Sequence, residues 1–405
     1  MKDSTRAVEA GRDPTLQAGS VNPPVHHTST VVFPTYEDLK GVARIRKGDG
    51  VTYAVHGTPT TYALERALTA LELGIDPAEV GASGHRTRLT NTGLQGVTVP
   101  MLCVLSAGDH LLVPDSVYGE TREFVFGMLT RFGVEAEVYD PLIGGGIREH
   151  MRPNTRLVLV ESPGSWTFEV QDIPAIAEVA HAHGALVMLD NTWATPLYLK
   201  PFELGVDISM QALTKYVGGH ADILMGSVTA TKEVYDRYLQ PGWAQIGTSA
   251  SPDDAYLALR GLRSMPLRLA EHGRSGLAVA EWLMARDEVA EVIHPAMPHD
   301  PGHALWQRDF TGAGSLFAIV LEERYSGETQ VGAFLDRLRH FAMGFSWGSY
   351  QSMALPIRPE RARKVTPWPK PGRAAGRVIR LYVGLEDVDD LTADLAEGFR
   401  AMRAV

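Results

Sequence analysis

Between Gly184 and Asp222 an apolar run, Ala185-Leu-Val-Met-Leu189, stops abruptly at Asp190. That is the pattern of a buried parallel strand delivering an acid to the carboxyl edge of a sheet. A second β-prone run, Val206-Asp-Ile-Ser-Met210, leads into Thr214-Lys215 and then Gly218-Gly219-His220. The interval from Asp190 to Lys215 suits one strand, a crossover and another strand, so opposite charges meet at the edge of a packed sheet. No other stretch constrains the fold as much.

A lysine so placed is costly unless its charge is removed or used, because desolvation lowers its pKa and turns its amine into a nucleophile and a base. Two readings stand on these residues alone. One is a surface lysine at a strand end with an N-cap aspartate beside it. The other is a Schiff-base lysine with an acid that keeps a pyridinium nitrogen protonated, the two groups pyridoxal phosphate (PLP) needs.

The 405 residues exceed one simple core, and strands alternating with helices up to about residue 255 predict a mostly parallel, helix-covered α/β sheet. Strands are expected at His110–Pro114, Val134–Tyr139 and Arg156–Val160, with a crossover helix from Ala175 to His183. Residues 1–60, interrupted by Pro14, Pro23, Pro24 and Pro34, read as an extended arm that packs on another subunit. A helix follows with Leu64, Leu68 and Leu71 on one face, and residues 75–88 read as turn-like. Beyond 255 the texture becomes α+β, with helical runs at Tyr256–Arg260 and Ser275–Arg286 and strands at Ser315–Leu321 and Arg377–Val383. The expected division is an arm (1–60), a large domain (61–255) and a smaller C-terminal domain (256–405). The basic, proline-rich segment 356–376 reads as a solvated loop.

A net charge of −10 argues against nucleic acid as a partner. No apolar run approaches the roughly 20 residues that span a bilayer, and Met1–Arg6 lacks the apolar core of a secretory signal. Cys103 is the only cysteine and lies in an apolar run, so it reads as a buried, inert thiol in a cytoplasmic protein. His26-His27, His181/His183 and His294 with His299 and His303 lack companion ligands at metal spacing, and no metal is expected.

Five stretches in order carry a resemblance: Glu161-Ser-Pro-Gly164, Asp190-Asn-Thr-Trp193, Ser209-Met-Gln-Ala-Leu-Thr-Lys215 with Gly219-His220, Phe345–Tyr350, and Ile379–Val388. Over nearly its whole length the chain resembles the Cys/Met-metabolism family of PLP-dependent enzymes, and within it the cystathionine β-lyases. The resemblance implies the PLP-dependent transferase-like fold of the aspartate aminotransferase type: α/β, with a mostly parallel seven-stranded sheet covered by helices and a smaller α+β C-terminal domain. It implies Lys215 as Schiff-base lysine and general base, and Asp190 at the pyridinium nitrogen. Gly93 and Leu94, at a helix N-terminus, and Thr214 would hold the cofactor phosphate, and Tyr118 would stack on the pyridine ring. Tyr53 would reach the phosphate from a neighbouring subunit, and both tyrosines would assist catalysis. Arg380 would clamp the substrate carboxylate, with Ser346 and Trp347 shaping the same pocket.

Two positions depart from the family pattern. Val55 stands where an arginine usually binds the phosphate across the interface, which removes a charge-assisted contact worth about 1.5–3 kcal/mol. Ala212 stands where many relatives carry serine, a detail in which the β-lyase branch resembles this chain. The implied reaction is carbon–sulfur β-elimination in methionine biosynthesis. L-Cystathionine, or another thioether amino acid, would lose a thiol from Cβ and leave pyruvate and ammonia, in a homotetramer built from catalytic dimers. Three other readings stay open: γ-elimination, γ-replacement or lysis of an S-substituted cysteine on the same scaffold; a PLP-binding regulatory paralogue, to which Val55 points; and an α/β binding protein without PLP.

Overall fold

The computed structural model describes residues 1–15, 17–42 and 50–405. Seven strands build its larger sheet: β1 (Arg86–Thr90), β2 (His110–Pro114), β3 (Glu135–Tyr139), β4 (Thr155–Glu161), β5 (Leu186–Asp190), β6 (Ile208–Ala212) and β7 (Gly226–Ala230). Their order is β1-β7-β6-β5-β4-β2-β3, with β7 antiparallel to both neighbours and the other pairings parallel. The central strands are apolar at successive positions because both faces are covered. Leu112, Val158, Val160, Val187 and Leu189 enter one core, while Leu111, Val113, Leu157, Leu159 and Met188 enter the other. The expected mostly parallel, helix-covered sheet is therefore present.

A second sheet holds β8 (Val289–Ile293), β9 (Leu316–Leu321), β10 (Ala342–Met343), β11 (Met353–Ile357) and β12 (Val378–Tyr382), in the order β10-β11-β12-β9-β8. Helices Glu328–Arg337 and Val388–Arg403 pack against each other beside it. The two helical runs expected between the sheets are one 33-residue helix, Pro252–Met284, which carries Pro266 in its interior. Burial of Leu259, Leu262, Met265 and Leu269 along one face holds it together across the proline. No helix among the described residues is long and apolar enough to cross a membrane.

Two segments correct the sequence reading. Residues 3–9 are helical rather than extended, and they pack on helices Pro59–Leu73 and Pro252–Met284 of their own chain. Arg6 is responsible: its guanidinium donates to the carbonyls of Gly74 and Ile75, just past the first of those helices, while Arg263 Nη1 donates to the carbonyls of Ala7 (2.8 Å) and Ala10 (2.6 Å). Residues 16 and 43–49 of the expected arm lie outside the described residues.

The basic segment 356–376 is no solvated loop. Arg363 donates to both carboxylate oxygens of Glu169 (3.0 and 3.1 Å), and both side chains are buried. Asp115 accepts the N–H groups of Lys364, Val365 and Thr366 and the Thr366 hydroxyl, all within 3.0 Å. Lys370 faces Asp140, and Arg373 pairs with Glu291 and Asp300. Acids elsewhere in the chain thus pair Arg363, Lys370 and Arg373 internally.

Beneath the sheet, Glu72 is fully buried and accepts Gln211 Nε2 at 2.6 Å. Burial, outweighing the hydrogen bonds from Ser209 and Gln211, raises its carboxyl to about 7. The folded state therefore binds this proton more tightly than the unfolded chain, so stability falls as pH rises from about 4.5 through 7. Glu72→Gln should remove that slope and leave the variant about 3 kcal/mol more stable than the parent at pH 8. Denaturant titrations at pH 5 and 8 check it, and equal slopes in the two proteins would contradict it.

Candidate active site

Every parallel strand of the larger sheet ends at the same edge, and a cavity of about 270 Å³ opens there against the smaller sheet. β5 delivers Asp190, the turn after β6 delivers Lys215, the segment after β2 delivers Tyr118, and β12 of the smaller sheet delivers Arg380. Gly93, Leu94, Thr214 and Trp347 also line the cavity.

Burial, and after it the positive charge of Arg380, lowers the Lys215 amine to about 8 against the opposing pull of Asp190 and Glu120. Its Nζ donates to Ser346 Oγ at 2.6 Å and stands 5.4 Å from the centre of the Trp347 ring. Ser346 has a φ of +81°, a conformation non-glycine residues rarely adopt, and it serves two groups at once: its carbonyl accepts Arg380 Nη2 at 3.3 Å. Burial also lowers the Arg380 guanidinium from its ordinary value.

Asp190 is aimed by Thr192, whose N–H (3.0 Å) and hydroxyl (2.5 Å) both donate to Oδ1; the hydroxyl in turn accepts the Ala212 N–H at 2.9 Å. Burial raises the Asp190 carboxyl, and the Thr192 bonds and Lys215 pull it back down. Glu161 lies opposite Asp190 in the β4–β5 register and accepts the Tyr118 N–H at 2.8 Å. Burial, then the charge of Asp190, raises Glu161 well above the usual carboxylate range. Burial and the adjacent Glu120 raise the Tyr118 phenol, so it is neutral at physiological pH.

The residues fit a phosphate-bearing cofactor. Helix Gly93–Val104 points its N-terminus at the cavity, and a Cβ on Gly93 would lie 2.5 Å from that of Ala212, so glycine keeps the cradle open. The Thr214 hydroxyl bonds the Met225 backbone, accepting its N–H at 3.1 Å. Tyr53 stands apart from this group: it is 48% exposed and does not line the cavity of its own chain. Val55 lines a separate small cleft with Glu65 and Arg88.

The sequence reading assigns no site role to Thr192 or Glu161, although Glu161-Ser-Pro-Gly164 closes its strand at the sheet's carboxyl edge, where ligands collect in such folds. The signal for Glu161 was available, since Leu157-Val-Leu-Val160 ends in an acid just as the run before Asp190 does. A threonine two residues past an aspartate is also a recognisable side-chain-to-backbone pattern.

A buried lysine facing a carboxylate, an aromatic ring and an arginine, beside a glycine-cradled helix terminus, is the equipment of a PLP-dependent enzyme. The chain belongs to the Cys/Met metabolism PLP-dependent enzyme family, whose profile matches residues 4–400. It is 50% identical over 404 residues to a putative cystathionine β-lyase of Rhizobium johnstonii, covering 99% of this chain and 97% of the relative. It is 38% identical over 400 residues to the cystathionine β-lyase MetC of Escherichia coli, with 98% of each chain covered. The crystal structure of a cystathionine γ-synthase from Xanthomonas oryzae pv. oryzae, in complex with aminoacrylate and cysteine, superposes with a TM-score of 0.86 at 30% identity, covering 100% of this chain and 99% of that one. The cofactor of the chain is accordingly PLP.

Proposed function

We propose that this enzyme is a carbon–sulfur β-lyase that converts L-cystathionine and water to homocysteine, pyruvate and ammonia in methionine biosynthesis, with cysteine S-conjugates as further substrates. The observation that carries the reading is the Lys215 amine, lowered to about 8 by burial and held against Ser346 in one cavity with Arg380 and Asp190. At that value the amine can act as a base near neutral pH. The similarity to cystathionine β-lyases supports the choice of substrate.

Lys215 Nζ would hold PLP covalently and, when free, would take the Cα proton of the substrate. Arg380 receives the substrate carboxylate in its planar fork, and Ser346 ties this clamp to the base. Bound PLP supplies the electron sink that makes the Cα proton removable. Asp190, aimed by Thr192, would keep the ring nitrogen of the cofactor protonated, and Tyr118 would support its ring. The N–H groups of Gly93 and Leu94 and the Thr214 hydroxyl would hold its phosphate, and Trp347 would close the pocket. Incubation with PLP and L-cystathionine should release pyruvate, and Lys215→Ala should not; absence of any keto acid from the parent protein would overturn the reading.

Tyr53 reaches the site of a second copy in a homotetramer of catalytic dimers. Its exposure, with that of Val32 and Tyr36 on the same N-terminal segment, supports this assembly. The division into an arm (1–60), a PLP-binding domain (61–255) and a C-terminal domain (256–405) belongs to the same proposal, as does a cytoplasmic location. Val55→Arg should restore a phosphate contact across the interface and tighten PLP binding at least about tenfold. Fluorescence titration of the apo-protein checks it, and an unchanged affinity would refute the assignment of Val55 to that interface.

A further inference from the structure

The turn that carries Lys215 is pinned from outside by one arginine. Within the turn, Lys215 N–H donates to the Ala212 carbonyl (3.1 Å), Gly218 N–H to Leu213 (2.8 Å) and Gly219 N–H to Lys215 (2.8 Å). The carbonyls of Tyr216 and Val217, on fully buried residues, gain their partner from helix Pro252–Met284: Arg268 Nη1 donates to Tyr216 O at 2.8 Å and Nη2 to Val217 O at 3.3 Å. Nη2 also donates to Gly261 O at 2.7 Å, and Nε to Ser264 Oγ at 3.1 Å.

Arg268 is only 8% exposed, and no carboxylate pairs with it among the described residues. Buried charges are ordinarily paired with an acid. Here the fork is spent on backbone oxygens, which are themselves costly to leave unpaired. The fit is also steric. Gly219 has a φ of +72°, and a Cβ there would lie 2.1 Å from Arg268 Nη1.

We propose that Arg268 is a positioning residue for Lys215. Its bonds to the two residues that follow Lys215 fix the turn, and through it the direction in which the amine enters the cavity. The proposal rests on the reading of Lys215 as the PLP-holding base. It predicts that loosening the clamp disturbs the amine while the fold persists, because reacting groups displaced by about 1 Å lose on the order of 10²-fold in rate.

The experiment compares Arg268→Lys, Arg268→Met and Gly219→Ala in the PLP-loaded enzyme, with Lys215→Ala as control. Arg268→Met and Gly219→Ala should lower kcat about 10- to 100-fold with KM changed less than about threefold. They should also shift the pH dependence of the bound-cofactor absorption and slow the attachment of PLP to the apo-protein. Arg268→Lys, which keeps the charge but loses the fork, should recover part of each effect. If Arg268→Met does not fold, Gly219→Ala, which keeps the arginine, gives the same reading. Parental kcat, absorption profile and attachment rate with only a lowered melting temperature would show a purely structural arginine and overturn the proposal. Covalent attachment of PLP persisting in Lys215→Ala would instead refute the reading of Lys215, so the two failures are distinguishable.

Discussion

Lys215→Ala lowers kcat for pyruvate release from L-cystathionine by at least about 10³-fold at saturating PLP. The size follows from two tasks sharing one atom. In the proposed mechanism Nζ would both anchor the cofactor and take the Cα proton, and a positioned general base alone contributes about 10²–10⁴-fold. No second amine is placed to substitute, because Arg380, the other cation of the cavity, stays charged at any working pH. The fold should survive. Burial holds the Lys215 amine at about 8 in the folded protein against 10.5 for an ordinary lysine, so the charged form is disfavoured by folding. In the apo-protein that penalty is present below pH 8 and fades as pH rises through 8 to 10.5. The alanine variant should therefore melt no lower than the parent apo-protein at pH 7, and a variant that is both inactive and unfolded would not support the assignment. A residual kcat within tenfold of the parent would contradict it.

Asp190→Asn should reduce kcat by about 10²–10³-fold, the range found when a preorganised charge-stabilising group is removed from a site. The amide keeps an oxygen for the Thr192 N–H and hydroxyl, so the geometry around β5 is retained. What it loses is the negative charge that, in the proposed mechanism, would keep the ring nitrogen protonated. Because the carboxyl is buried and already raised by that burial, neutralising it should not lower the melting temperature. Steady-state kinetics and thermal unfolding of the same preparation check both halves. A variant with parental kcat would remove Asp190 from the mechanism.

Much of this site was legible in the sequence because its principal groups sit at the ends of strands whose patterns are local. The run before Asp190 is apolar because both faces of the sheet are covered, and the charge marks where cover stops. The Thr58-Pro59 start of helix Pro59–Leu73 is also a local signal, with Thr58 and Thr61 capping each other, yet the sequence reading counts residues 58–60 in the arm. Long-range partnerships were not legible. Asp115 meets Thr366 across most of the chain, and Arg268 meets the Lys215 turn from a helix whose own pattern shows only that one face is apolar. A basic, proline-rich stretch in an acidic chain has the composition of a solvated loop. Only the fold shows that Glu169, Asp115 and Glu291 wait beneath it. The helix at residues 3–9 escaped for a similar reason, since it is stabilised by what Arg6 and Arg263 reach rather than by its own seven residues.

The most direct test of the account is identification of both products formed from L-cystathionine by the PLP-loaded enzyme. Homocysteine and pyruvate in equal amounts are predicted, because the proton is taken at Cα and the thiolate leaves from Cβ. Cysteine with 2-oxobutyrate would place the cut at the γ carbon and contradict the account.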